Sequence, residues 1–103
     1  MAMQYLSIDE VIALHKYSVE RFGGSSDLLN RGKLEASLAA PMQNVFDTEL
    51  YPDVWSKAAI LGFSLIKNHA CFDGNKRIGL FAMLRFLEIN GYSLSGVTND
   101  ELY

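Results

Sequence analysis

Asn68-His69-Ala70-Cys71-Phe72-Asp73-Gly74-Asn75-Lys76-Arg77 is the stretch on which the reading of this chain turns. Strongly apolar sequence leads into it and strongly apolar sequence leaves it. Within nine positions it carries a base (His69), a carboxylate (Asp73), a turn glycine (Gly74), an amide (Asn75) and two cations (Lys76 and Arg77). Such a set is equipped to bind a phosphate, hold a divalent cation and take a proton from a hydroxyl.

On the upstream side, Trp55, Ala58, Ala59, Gly62, Ile66 and His69 fall on one helical face, and Ile60, Leu61, Phe63 and Leu65 fill much of the remainder. A helix apolar nearly all round is a central helix, packed on several sides. Pro52 suits its first turn, and Asp53 places a negative charge where the helix dipole favours one. On the downstream side a second helix starts near Asn75. It runs through Ile78, Leu80, Phe81, Met83, Leu84, Phe86, Leu87 and Ile89 to a stop at Asn90-Gly91. So short a connection makes the two helices antiparallel neighbours. Trp55, Phe63, Phe81 and Phe86 are expected in the core, and Arg85 with Glu88 is expected as a surface pair.

Further out, Ser7-Ile8-Asp9-Glu10 reads as a capping box. Ile8, Val11, Ile12, His15, Val19 and Phe22 then share a face up to the stop at Gly23-Gly24, which predicts a helix over Ile8 to Phe22. His15, on that apolar face, reads as a hydrogen-bonded core histidine. After a turn over Gly23 to Asp27, Asn30 caps a short helix through Lys33 to Leu38 that ends before Pro41. Gln43 to Leu50 shows no period and reads as a loop or flap. Tyr92, Leu94 and Val97 are placed to pack back on the core. Thr98-Asn99-Asp100-Glu101 is a second capping box with only two residues after it, which reads as a shortened C-terminus.

The totals set outer limits. A chain of 103 residues, half of them apolar and twelve aromatic, is expected to form one globular domain. A net charge of −3 argues against a general nucleic-acid binder, so no direct DNA contact is expected. A single cysteine, Cys71, excludes an internal disulfide and fits a reducing, cytoplasmic compartment. No signal sequence is visible, and the apolar run from Ala58 to Ile66 is too short to span a membrane.

The chemistry of the opening stretch follows from residue type. Gly74 permits a tight turn. Asn75, Lys76 and Arg77 then occupy the first turn of a helix, where unpaired N–H groups favour an anion. Two cations there oppose the dipole at about 0.3–1 kcal/mol each, a cost that a bound phosphate reverses. Asp73 is a hard oxygen ligand suited to magnesium. His69 supplies an imidazole, which can accept a proton from an attacking hydroxyl. Taken singly each residue has a plainer reading: a C-cap, a turn pair, solvated cations. Clustered between two buried helices they favour phosphoryl or nucleotidyl transfer.

His69-Ala70-Cys71-Phe72-Asp73-Gly74-Asn75-Lys76-Arg77 also resembles the signature of the Fic/Doc family, His-x-Phe-x-(Asp/Glu)-x-Asn-(Gly/Lys)-Arg, and the lysine at its eighth place looks like the Doc (death-on-curing) branch. Landmarks along most of the chain look similar, among them Leu6-Ser7 to His15, Gly23-Gly24, Leu34-Glu35, Ala58-Ala59 and Asn90-Gly91-Tyr92. The resemblance implies an all-α, compact helical bundle around a central buried helix hairpin. The family's last helix would be missing, leaving an apolar face that invites self-association. It implies a toxin paired with a Phd-type antitoxin, transferring the γ-phosphate of ATP to a threonine of elongation factor Tu. His69 would be the base, Asp73 the Mg2+ ligand, and Gly74, Asn75, Lys76 and Arg77 the phosphate-binding residues. A glycine at position 76 would open the backbone to a diphosphate, as in members that transfer AMP. Lys76 fills that space and offers a point charge, so phosphotransfer is preferred to AMP transfer. The family's motif phenylalanine falls on Cys71, and Leu29-Asn30 stand where many Doc sequences have Arg-Asp. A third reading is therefore a non-catalytic, antitoxin-binding homologue.

Overall fold

A computed structural model describes residues 2–25, 27, 30–71 and 74–92. In chain order these form α1 (Ile8–Phe22), α2 (Arg31–Ala39), a single 3₁₀ turn (Ala40–Met42), a hairpin of β1 (Asn44–Val45) and β2 (Thr48–Glu49), α3 (Val54–Asn68) and α4 (Asn75–Ile89). The architecture is all-α, with one minimal hairpin. Among the described residues no helix is long and apolar enough to cross a membrane.

Local signals set most of the helix ends. Ser7 caps α1 as half of a capping box: its Oγ accepts from the Glu10 N–H at 3.2 Å, and the Glu10 carboxylate accepts from the Ser7 N–H at 3.1 Å. Asn30 Oδ1 accepts from the Lys33 N–H at 2.9 Å and starts α2. Asp53 caps α3, accepting from the Ser56 N–H at 2.7 Å, and that bond holds its carboxyl below the usual range. Pro52 therefore precedes the cap and lies outside the first turn, where the sequence reading had placed it. At the far end of α4, Asn90 Nδ2 donates to the Gln4 and Phe86 carbonyls, and Asn90 Oδ1 accepts from the Gln4 N–H. The N-terminal segment is thereby tied to the end of α4.

α3 and α4 pack antiparallel: Ile66 lies against Gly79, Gly62 against Gly79 and Met83, and Trp55 meets Tyr92 edge-on at 4.9 Å. Around this pair Val11, Leu34, Leu61, Leu65, Ile78 and Phe86 are almost fully buried. Each such aliphatic or aromatic side chain stabilises the fold by about 1.5–3 kcal/mol.

The buried face of α3 is rotated from the one that the sequence predicts. Val54, Lys57, Ala58, Leu61, Gly62 and Leu65 face inward. Trp55 and Phe63 are 58% and 57% exposed, so neither is a core residue. Phe86 is fully buried as expected, whereas Phe81 is only partly buried and tilts against the half-exposed Phe22 at 6.1 Å. Arg85 and Glu88 do pair on the surface of α4.

Gln43 to Leu50, expected as a loop or flap, contains the hairpin, with Asn44 paired to Glu49 and Val45 to Thr48. Its two-residue turn, Phe46-Asp47, has positive φ at both positions, as right-twisted hairpins require. Lys57 fastens it. This lysine is buried, and its Nζ donates to the Pro41 carbonyl and the Glu49 carboxylate, each at 3.0 Å. Leu94, Val97 and the Thr98–Glu101 capping box lie outside the described residues.

Candidate active site

α3 ends at Asn68 and α4 starts at Asn75, and the candidate residues lie at and between these two ends. His69 ends α3 in the left-handed conformation, φ 49° and ψ 49°, with its side chain exposed. A non-glycine residue there is uncommon and persists only where its surroundings fix it. Both neighbours are fixed by the α2 region. On one side, Asn68 Nδ2 donates to Ser37 Oγ at 2.8 Å; that buried hydroxyl also lies within donating distance of the Lys33 and Ser64 carbonyls. On the other side, the Ala70 carbonyl accepts from the Asn30 N–H at 3.0 Å. The base predicted from sequence is thus also a helix C-cap, presented to solvent between two anchored residues.

The next part of the loop is held from α4. Asn75 Oδ1 accepts from the Cys71 N–H at 3.1 Å, and Asn75 Nδ2 donates to the Cys71 carbonyl at 2.9 Å. In this structure the Asn75 amide closes the loop on itself. Cys71, at the family's phenylalanine position, is buried, and burial pushes its thiol up, away from a reactive thiolate. Phe72 and Asp73 lie outside the described residues, as does Leu29. Among the described residues no three His, Cys, Asp or Glu side chains gather as a metal site.

Gly74 caps α4 with φ 74°. The turn needs glycine for its conformation; a Cβ there would sit 3.3 Å from Arg77 Nη2 and 3.6 Å from His15 Nε2, a close but not prohibitive fit. His15 is buried, as the sequence implied, and packs beneath this turn. Lys76 is exposed. Arg77 turns towards the end of α1, where its Nη2 donates to the Gly23 carbonyl at 2.9 Å and its guanidinium lies 5.4 Å over the Phe22 ring. A cation at the start of α4 opposes that helix's dipole, but at the end of α1 it is favoured. Arg77 is therefore compensated within the fold. A guanidinium has five N–H donors, so one bond to a carbonyl does not exhaust it.

The donor set fits a polyphosphate: a helix N-terminus opened by glycine, with a lysine and an arginine in its first turn. An open cavity of about 820 Å³ lies elsewhere, between the start of α3 and the end of α4, and no residue of the 68–77 stretch lines it.

One contributor was not legible from sequence. The α1 contacts of Arg77 join residues 54 positions apart and leave no local signature.

The Fic/DOC family model matches residues 5–87. "Toxin Doc" from Mycolicibacterium smegmatis is 39% identical over 92 residues, covering 89% of this chain and 68% of the relative. "Protein kinase doc" from Escherichia phage P1 is 32% identical over 89 residues, covering 86% of this chain and 70% of the relative. No solved structure gives a significant match. With a family match over most of its length and two such relatives, the chain belongs to the Fic/Doc family, on its Doc branch.

Proposed function

We propose that the chain is a Doc-type toxin that transfers the γ-phosphate of ATP to a protein hydroxyl, on the family pattern a threonine of elongation factor Tu, and that a Phd-type antitoxin restrains it. The observation that carries this reading is the exposed, left-handed His69, anchored on both sides, at the far end of a short loop from the cationic first turn of α4. The kinase name of the phage P1 relative supports phosphate rather than AMP transfer, as does a lysine at position 76.

His69 takes the proton of the attacking hydroxyl. The hydroxyl oxygen bonds to the γ-phosphorus, the bond to the β–γ bridging oxygen breaks, and ADP leaves. Lys76, Arg77 and the backbone N–H groups after Gly74 hold the phosphates, while Asn75 keeps the loop in register. Asp73 would hold Mg2+, which would supply neutralising charge to the phosphate oxygens. Positioning and electrostatics make up most of such catalysis, and the anchors at Asn68, Ala70 and Cys71 supply the positioning.

The test is incubation of purified elongation factor Tu with the protein and ATP labelled at either the γ or the α phosphate. Transfer of γ label alone supports the reading. Transfer of α label replaces it with AMP transfer, and transfer of neither removes the proposed substrate.

A further inference from the structure

We infer that Phe22 is a positioning residue for the phosphate site, acting through Arg77. This rests on the nucleotide-binding reading above. The sequence places Phe22 on the apolar face of α1, yet it is 52% exposed. Core packing alone does not account for an aromatic ring held there. Its ring contacts do: the Arg77 guanidinium lies 5.4 Å over its ring, and Phe81 of α4 tilts against it at 6.1 Å. The next residue, Gly23, offers its carbonyl to Arg77 Nη2 at 2.9 Å. The end of α1 thus grips the guanidinium twice, by ring face and by carbonyl, and selects one rotamer of a long, otherwise mobile side chain. The grip comes from outside α4 and outside the loop, so it sets Arg77 independently of the motif's own backbone. A guanidinium fixed before the phosphates arrive loses less entropy on binding them. Lys76, one residue earlier and exposed, has no such bracket among the described residues.

The contact has a chemical signature. An aromatic face attracts a guanidinium through its quadrupole, and an aliphatic side chain of similar size does not. Phe22→Leu keeps apolar cover at a half-exposed position and removes the attraction; Phe22→Tyr keeps it. Dissociation constants for ATP with magnesium are measured for the wild type and both variants, together with the NMR shift of the Arg77 Nε–H, which senses a ring lying over it. The expected result is that Phe22→Leu weakens ATP binding about threefold to fivefold, the size of an exposed cation–π contact, and loses the ring-induced shift. Phe22→Tyr restores both. Wild-type affinity in Phe22→Leu, or no recovery in Phe22→Tyr, overturns the inference. If the wild type shows the ring shift but does not bind ATP, the nucleotide reading itself fails, and the role assigned to Phe22 falls with it.

Discussion

The side chain of Asn75 grips the backbone of Cys71 at both of its polar atoms, donating to the carbonyl and accepting from the N–H. An amide places a donor and an acceptor on two separate atoms, which neither a carboxylate nor a hydroxyl does. Asn75→Asp would keep the acceptor and set a carboxylate against a carbonyl oxygen. Asn75→Ala would remove both bonds and leave Cys71 unpaired in a partly buried site. Each bond is worth about 0.5–1.5 kcal/mol, so Asn75→Ala is expected to lose about 1–3 kcal/mol in urea unfolding. Asn75→Asp should be no better, despite its near-identical shape. An aspartate variant as stable as the wild type would show that the grip does not hold the loop.

The crossing of α3 and α4 depends on Gly79 more than on Gly62. A Cβ on Gly79 would lie 2.7 Å from Ile66 Cγ1 and 2.9 Å from the Gly62 carbonyl oxygen, inside contact distance. On Gly62 the nearest atom is the Gly79 carbonyl oxygen at 3.2 Å. Overpacking costs about 1–3 kcal/mol, whereas alanine in place of glycine gains about 1 kcal/mol of helix propensity. Gly79→Ala should therefore be destabilised by up to about 2 kcal/mol, a fall of about 4–8 °C in Tm per kcal/mol. Gly62→Ala should lie close to neutral. The opposite order in a pair of thermal melts would mean that the helices do not meet at Gly79.

Lys57 gives the fold a pH signature. Burial lowers its pKa, but its hydrogen bonds to the Glu49 carboxylate and Tyr5, together with their charges, outweigh this, and the net shift is upward from 10.5. A group whose folded pKa is raised contributes its full stability below its unfolded value and loses it as pH rises through the folded one. The stability gap between the wild type and Lys57→Met should thus stay level up to about pH 10.5 and close above it. Urea midpoints across that range measure the gap. A gap that closes between about pH 6 and pH 9 would assign the effect to another group.

Much of this was readable because the signals are local. The Ser7–Glu10 box and the Gly23 stop fix both ends of α1, and Gly74 and Asn90-Gly91 bracket α4. The candidate site could be proposed for the same reason: its residues lie within ten consecutive positions. The inward face of α3 was not legible, because a helix apolar nearly all round has no contrast from which to read a phase. A one-residue error there turned Trp55 outward and Lys57 inward. The hairpin turn was hidden because Phe46-Asp47 adopts a conformation that Asn-Gly usually announces. The braces on the site, Ser37 to Asn68, Asn30 to Ala70 and Gly23 to Arg77, are long-range bonds without any periodic trace.

The central claim is that His69 removes a proton from a protein hydroxyl while the start of α4 holds ATP. The most direct measurement is intact-mass and peptide mass spectrometry of elongation factor Tu after incubation with ATP, magnesium and either the wild type or His69→Ala. The account predicts one added phosphate on a threonine with the wild type and none with His69→Ala, although that variant still binds ATP. Phosphorylation that persists in His69→Ala, or AMP on the target in place of phosphate, would contradict it.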